Sequence, residues 1–522
     1  MYRVMALVVM TVVLHLAAVN MVGLSQEVVT FSEDVAPIIF EKCVGCHRPN
    51  EAAPMSLRSY QEVRPWARGI RDKVVSREMP PWFANPLHGS FKNDQSLTDD
   101  EINTVVSWVD AGAPQGEPSQ MPELPEFTDG WTLGDPDYII EFPEVTVPAD
   151  GPDYYPDLSV TMDDLLEKRW VRAIEVRPSN RKVTHHQVVF TGGNPGQDGN
   201  DQRSGFFDVL VVWSVGTNPH IFPEGVGRWL HPGQTLTVNA HYHPSGEAET
   251  DVTQIGVYWG EGELKKELTA VLAGTMSFEI PARAQNHELR ASYIIDQDST
   301  VISYFPHMHT RGQDMKMIAN YPNGEMETLI DVPDYDFDWQ LFYYPDEKVS
   351  LPAGTRLDIV AHYDNSELNP DNPDPNKAIN FGLKTNDEMM FTVFEFIADT
   401  GVSPTPASNE TRRDALLASL PSDSVYSVSL GLMGRELPSV LHLPRSGEGT
   451  WYIPMRQNLL VVPASNLRWD GDTYTFDMKM RLGPMSGDFI VKGHVDNDLI
   501  RGDFDGAGMV PFSSFEGIRP GN

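Results

Sequence analysis

A small all-α domain followed by a longer, mainly antiparallel β region is the fold class that the sequence predicts, and three observations predict it. Residues 26–118 carry helix signatures: capping residues, apolar positions three and four apart, and a glycine stop. From residue 135 onward that period gives way to short alternating or continuous apolar runs separated by turns, which is the pattern of antiparallel strands. Between the two lies "GAPQGEPSQMPELPEFTDG", 112–130, whose prolines mark a linker over 119–134. The 522 residues allow three or four domains. No fixed-period repeat is visible.

The first 26 residues, "MYRVMALVVMTVVLHLAAVNMVGLSQ", hold one basic residue, Arg3, then an apolar run from Met5 to Val19 and small residues ending at Ser25. This reads as a secretory signal over 1–25. The run is short for a membrane span, so a periplasmic or secreted protein without stable membrane insertion is expected. A net charge of −35, from 74 acidic and 39 basic residues, argues against nucleic acid and anionic membrane surfaces as partners. A solvated acidic surface accounts for it.

Both of the chain's two cysteines stand in "EKCVGCHRPN", so no disulfide is left to brace the β region, and each domain must stand on its own core. C-x-x-C-H is the attachment pattern of a c-type haem: Cys43 and Cys46 form the thioethers and His47 ligates the iron. A zinc site would want more thiolates, and a redox dithiol has no need of the histidine. In "SEDVAPIIFEK", Ser32 is the expected N-cap, with Val35, Ile38 and Ile39 on one face. In "LTDDEINTVVSWVDAG", Thr98 and Glu101 have capping-box spacing, Ile102, Val105, Val106 and Val109 form an apolar stripe, and Gly112 is the stop. Between these helices "SREMPPW" sets Met79 before two prolines. The arrangement resembles a small class I-like cytochrome c spanning 26–118, with Met79 as the sixth ligand. His/Met ligation raises a haem's potential and suits an electron carrier.

The β region opens with "DPDYIIEFPEVTVPAD", "VRAIEVRP", "KVTHHQVVF", "FDVLVVWSV", "QTLTVNAHYH" and "QIGVYWGE", all strand-like runs. Its histidines come in groups: His185 and His186, His241 and His243, His307 and His309. A strand turns alternate side chains to one face, so His307 and His309 can share a metal. His185 and His186 point oppositely on an ideal strand and can do so only where it twists or ends. Imidazole permits zinc, copper, iron or nickel, whereas a thioether selects copper. Such a thioether is on offer in "LKTNDEMMFTVFEF", where an acidic pair precedes Met389 and Met390.

The ordered set of tandem HH, then H-Y, then H-x-H, then D-E-M resembles the copper type II, ascorbate-dependent monooxygenases, which include the peptidylglycine and dopamine hydroxylating enzymes. The resemblance covers about 135–400. It implies two jelly-roll β-sandwich domains, 135–285 and 286–405, each holding one of two copper ions. His185, His186 and His241 would ligate the electron-transfer copper, and His307, His309 and Met389 the oxygen-binding copper, with Met390 as the alternative to Met389. His243 would lie behind the ligands or face substrate. It further implies O₂, a small organic substrate and an external electron donor, an ascorbate-like reductant or a redox protein, as partners. Two features depart from the family: the disulfides are missing, and Phe305, Phe391 and Val393 stand where the peptidylglycine enzyme clamps a substrate carboxylate, so peptide amidation is not expected.

Residues 406–522 alternate apolar and polar residues between Asp-Gly and Asn-Asp turns, the pattern of a β-meander or small barrel. His442 and His494 have no neighbours at ligand spacing there, and read as structural. Two other function classes use the same residues: a zinc hydrolase with the haem domain as a separate module, and a copper and haem electron-transfer protein without oxygen chemistry.

Overall fold

The computed structural model describes residues 28–49, 51, 53–127, 130–192, 208–217, 219–400, 408–432, 435–455, 458–482, 485–508 and 514–520. The expected signal segment 1–25 lies outside them. No helix among the described residues is long and apolar enough to cross a membrane. The chain forms a mostly β structure with a few short helices and divides into two compact units.

The helical unit comprises the described residues up to Pro49, with Ala53–Pro80 and Ser96–Pro125. Its first helix begins as a π turn, Phe31–Val35, and runs on as Ala36–Lys42. The N-cap is Thr30 and not Ser32. Asp34 reaches back to accept the Thr30 N–H at 2.7 Å, while Ser32 is inside the helix, buried, with no partner for its hydroxyl. The cause is Phe31, which packs against Tyr60 and Trp108 at ring separations of 5.5 and 5.9 Å and draws the helix start upstream. The closing helix Asp99–Asp110 has the expected capping box of Thr98 and Glu101. Gly112 follows it with φ +90°, a left-handed conformation that favours glycine at a helix end. Of its predicted stripe only Val105 is fully buried; Trp108 supplies the rest of the buried face.

Residues 81–95 group with the β unit, although they fall between two segments of the helical one. Trp82 and Phe91 pack against Tyr343 in tilted and edge-on contacts at 4.9 and 5.5 Å, and Ala84 and Phe91 are buried in a β core.

Two face-to-face sandwiches and a barrel make up the β unit. In the first sandwich, a four-stranded sheet in the order Asp157–Thr161, Thr235–Tyr242, Thr184–Gly192, Val209–Ser214 covers Tyr138–Glu141, Thr253–Trp259, Arg169–Pro178 and Val226–Leu230, and their inner faces share one core. In the second, Lys266–Gly274, Phe391–Ala398, Ser299–His307 and Ser350–Leu351 face Met326–Val332, Gly312–Asn320, Arg356–Tyr363 and His287–Ile294. A short parallel pairing of Lys266 and Glu267 with Val226 and Gly227 makes one continuous sheet of the two lobes. A third apolar cluster, including Phe190, Val212, Leu272, Phe305 and Phe391, fills the space between them. The strand Thr184–Gly192 is therefore covered on both faces, with Val189 in the first core and Phe190 in the cluster between the lobes.

The expected meander closes on itself. Eight strands from Val425–Leu432 to Ser514–Ile518 each pair with the next, and the last pairs with the first. The barrel interior is filled by Trp451, Tyr474, Phe476, Phe515 and aliphatic neighbours, as expected for a barrel of this strand number. The helix Asn409–Ser419 precedes it.

Candidate metal centres

In the helical unit, the C-x-x-C-H segment leaves its helix through a turn in which the N–H groups of Cys46 and His47 donate to the Cys43 carbonyl, at 3.2 and 3.0 Å. His47 Nδ1 lies 3.3 Å from the Met55 carbonyl. A carbonyl only accepts, so Nδ1 holds the proton and Nε2 is left bare for a metal. Burial pushes the Cys43 thiol up to about 12, with Cys46 adding to the shift. Burial also lowers the His47 pKa, keeping its ring neutral. Met79 belongs to the same compact unit as Cys43, Cys46 and His47; its N–H bonds the Lys73 carbonyl at 3.3 Å.

In the first sandwich, His185, His186 and His241 come together, all three buried. The pairing of Thr184–Gly192 with Thr235–Tyr242 runs Thr184 to Tyr242 and then His186 to His241, so His185 is the extra residue of a bulge. A bulge re-aims one side chain, and it turns two adjacent histidines that an ideal strand would oppose into one cluster. His185 Nδ1 lies 3.0 Å from His186 Nδ1 and 3.1 Å from His241 Nδ1. Metal–imidazole bonds of about 2.0–2.1 Å in tetrahedral geometry place ligand nitrogens roughly 3.3 Å apart, close to this spacing.

The protonation pattern agrees. His241 Nε2 donates to Asp153 Oδ2 at 2.9 Å, leaving its Nδ1 bare. Burial pushes the Asp153 carboxyl up, but hydrogen bonds from His241, His243 and Thr385 outweigh it and hold the group well below the usual carboxylate range. His243 Nδ1 meets the other Asp153 oxygen at 2.6 Å, which puts this half-exposed histidine behind the ligand His241. Burial holds His185 and His186 far below the ordinary histidine pKa. Burial lowers His241 as well, so His185, His186 and His241 are neutral near pH 7, as ligation requires.

The second set lies on the other sandwich. His307 ends the strand Ser299–His307, His309 follows it, and Met389 precedes Phe391–Ala398, whose Phe391 pairs with His307. His307 Nδ1 donates to Gln340 Oε1 at 2.8 Å; the Gln340 amide is oriented by its own donation to the Phe337 carbonyl at 3.1 Å. His309 Nδ1 donates to the Asp387 carbonyl at 3.2 Å. Both rings therefore keep Nε2 bare. Glu388, buried, accepts the N–H groups of His309, Met389 (2.9 Å) and Arg311 (3.2 Å), tying the two ligand-bearing segments together. Met389 lines a cavity with His186, His307 and His309, whereas Met390 is buried in the second sandwich core.

The two sets meet, with the His186 and His307 rings only 5.5 Å apart. Phe305, Phe391 and Val393 form part of the cavity's apolar wall. The supporting residues Asp153, Gln340 and Thr385 carry no signal in the sequence, and Glu388 shows there only as half of an acidic pair.

No known family profile matches the chain, and no curated protein matches it.

Asp153 provides a direct check on the first set. Asp153→Ala removes the group that fixes the His241 tautomer, and loss of such a partner lowers metal affinity by about 10–100-fold. A Cu(I) titration against a competing chelator should show that drop at one of two sites. Parental affinity at both would mean that Asp153 does not orient a ligand.

Proposed function

We propose that the chain is an exported copper-dependent monooxygenase that hydroxylates a C–H bond of a small organic substrate with O₂, taking electrons through a fused c-type haem. The observation that carries this reading is the meeting of two donor sets: a cluster of three buried, neutral imidazoles, of which His186 reaches the cavity, and His307, His309 and the Met389 thioether, which line it. The thioether favours copper over zinc and so weighs against the hydrolase reading. Bound copper would supply one-electron storage and oxygen activation. The overall balance is R–H + O₂ + 2e⁻ + 2H⁺ → R–OH + H₂O, which needs a reductant of the ascorbate or redox-protein class.

The chain's own residues have definable tasks in this reading. Asp153, Gln340 and the Asp387 carbonyl hold the imidazole protons on the nitrogens away from the metals. Glu388 fixes the spacing of the His309 and Met389 segments. The apolar wall excludes water from the reacting atoms. Two face-to-face lobes with inward donor sets are in keeping with paired jelly rolls. Cys43, Cys46, His47 and Met79 would hold the haem that feeds them.

Protein made with a cytochrome c maturation system and loaded with copper tests the reading. One low-spin haem and two coppers per chain are expected, with a Cu–S contact in reduced-state X-ray absorption that Met389→Ala removes. Met79→Ala should open the sixth haem position. Pre-reduced protein given O₂ and substrate should oxidise its haem in step with ¹⁸O-labelled product. Bound zinc, or haem oxidation at the parental rate in His186→Ala, would overturn it.

A further inference from the structure

The cavity between the lobes has walls of one kind. Phe190 and Val188 come from the first sandwich, and Leu272, Phe305, Phe391 and Val393 from the second. Among the described residues no Asp, Glu, Lys or Arg lines it. The Glu388 carboxylate behind it already accepts three backbone N–H groups. In the metal-free chain a charged molecule would therefore lose its hydration without meeting a counter-charge from the lining side chains, and an uncompensated buried charge is strongly disfavoured.

One lining residue is different. Asn239, on the strand Thr235–Tyr242 and opposite Val188 in the register, shares a face with the ligand His241 two residues on. Its side-chain amide has no hydrogen-bond partner among the described residues. It enters from the first lobe, whereas His307, His309 and Met389 enter from the second. The lone polar anchor and the Met-bearing donor set thus come from opposite lobes.

From this we infer that the cavity takes a neutral, largely apolar substrate, a small aromatic or comparable hydrocarbon carrying a single uncharged hydrogen-bonding group that Asn239 binds. The inference rests on the monooxygenase reading for its chemistry, but not for the binding it predicts. Three phenyl rings in the wall favour a flat ring through edge and face contacts. The Asn239 amide offers both a donor and an acceptor, so an alcohol, ether or carbonyl would serve. A site built to hydrogen-bond one group discriminates against an analogue lacking it more sharply than an apolar pocket discriminates by size.

Four probes on one ring separate the terms: toluene, benzyl alcohol, benzylamine and benzoate. Binding to the full chain is measured on metal-free protein by isothermal titration calorimetry and ligand-observed NMR, so that no bound cation attracts benzoate. Benzyl alcohol should bind best and toluene about tenfold more weakly, the effect of one hydrogen bond. The two ions should bind weaker than benzyl alcohol by on the order of a hundredfold or more. Asn239→Leu should erase the preference for benzyl alcohol over toluene and leave toluene bound. Val393→Trp, which fills the wall, should remove both; Leu272→Phe is the milder variant should that chain fail to fold. Benzoate or benzylamine binding as tightly as benzyl alcohol, or an unchanged preference in Asn239→Leu, would overturn the inference. Because the binding is read on metal-free chain, a finding of zinc or of no oxygen chemistry would defeat the enzyme reading and leave this result standing.

Discussion

Replacing His309 with alanine is expected to lower substrate hydroxylation by on the order of a thousandfold. A bound metal contributes several kcal/mol of transition-state stabilisation, and each 1.36 kcal/mol is tenfold in rate. The side chain is buried, and its ring stands nearly perpendicular to that of His307 at 5.3 Å. Its loss takes one of three donors from the Met389 set and leaves His185, His186 and His241 untouched. Copper analysis should fall from two ions to one, ¹⁸O-labelled product should vanish, and the haem spectrum should not change. Turnover within tenfold of the parent would remove His309 from the chemistry. The fold should tolerate the change, because the backbone N–H of residue 309 still donates to Glu388.

A second large effect is expected in the metal-free protein, as a loss of stability in acid. Burial pushes His307 down to about 4 despite its bond to Gln340. Above the unfolded pKa of about 6.5, both states hold the ring neutral and nothing is lost. Below it the unfolded chain takes up a proton that the folded chain refuses, so stability falls as pH drops, until the folded ring titrates near 4. Across that window one such group is worth about 3 kcal/mol. His185, His186 and His309 shift in the same direction by burial. Glu388, which burial pushes up to about 7, acts oppositely, gaining stability as pH falls from 7 towards its unfolded value. Urea unfolding at pH 7 and 4.5 should show a net loss that is smaller in His307→Gln, with the Glu388 contribution common to both. An identical pH dependence in parent and variant would mean that His307 is not held neutral by the fold.

Alternation of apolar residues was enough to read the strands, and every quoted run between Tyr138 and Trp259 overlaps one. Turn residues and alternation also anticipated the C-terminal meander. The choice between an open meander and a small barrel stayed open, because closure depends on the pairing of Val425–Leu432 with Ser514–Ile518, which are far apart in sequence. The helical unit was legible in its capping box and glycine stop, but not at Ser32, where burial of Phe31 overrode the local cap preference. Nor could local pattern show that 81–95 groups with the β unit, since Trp82 finds its partner at Tyr343. Spacing brought His307 and His309 together as residues i and i+2, and they do line one cavity, although His309 stands just past the end of the strand Ser299–His307. The meeting of His185 with His186 needed a bulge, and bulges leave no fixed residue signature when the extra residue is not glycine. Supporting groups such as Asp153 and Gln340 lie in connecting segments, where no period ties them to the site.

The barrel also bears on how the second sandwich meets its surroundings. Asn458 and Leu459 pair with Tyr293 and Ser292, continuing the sheet beyond the strand His287–Ile294, which would otherwise be its border. An open border of unpaired N–H and C=O groups is a template on which another chain can add a strand. Here that template is occupied by part of a closed ring. The helix Asn409–Ser419 seals the same flank, with Leu416 buried among Ile294, Val425 and Leu459 and Arg412 bound to Asp296 at 3.1 Å. The C-terminal domain thus has a structural consequence that requires no ligand and no chemistry: it covers a flank of the second sandwich on which another strand could otherwise add.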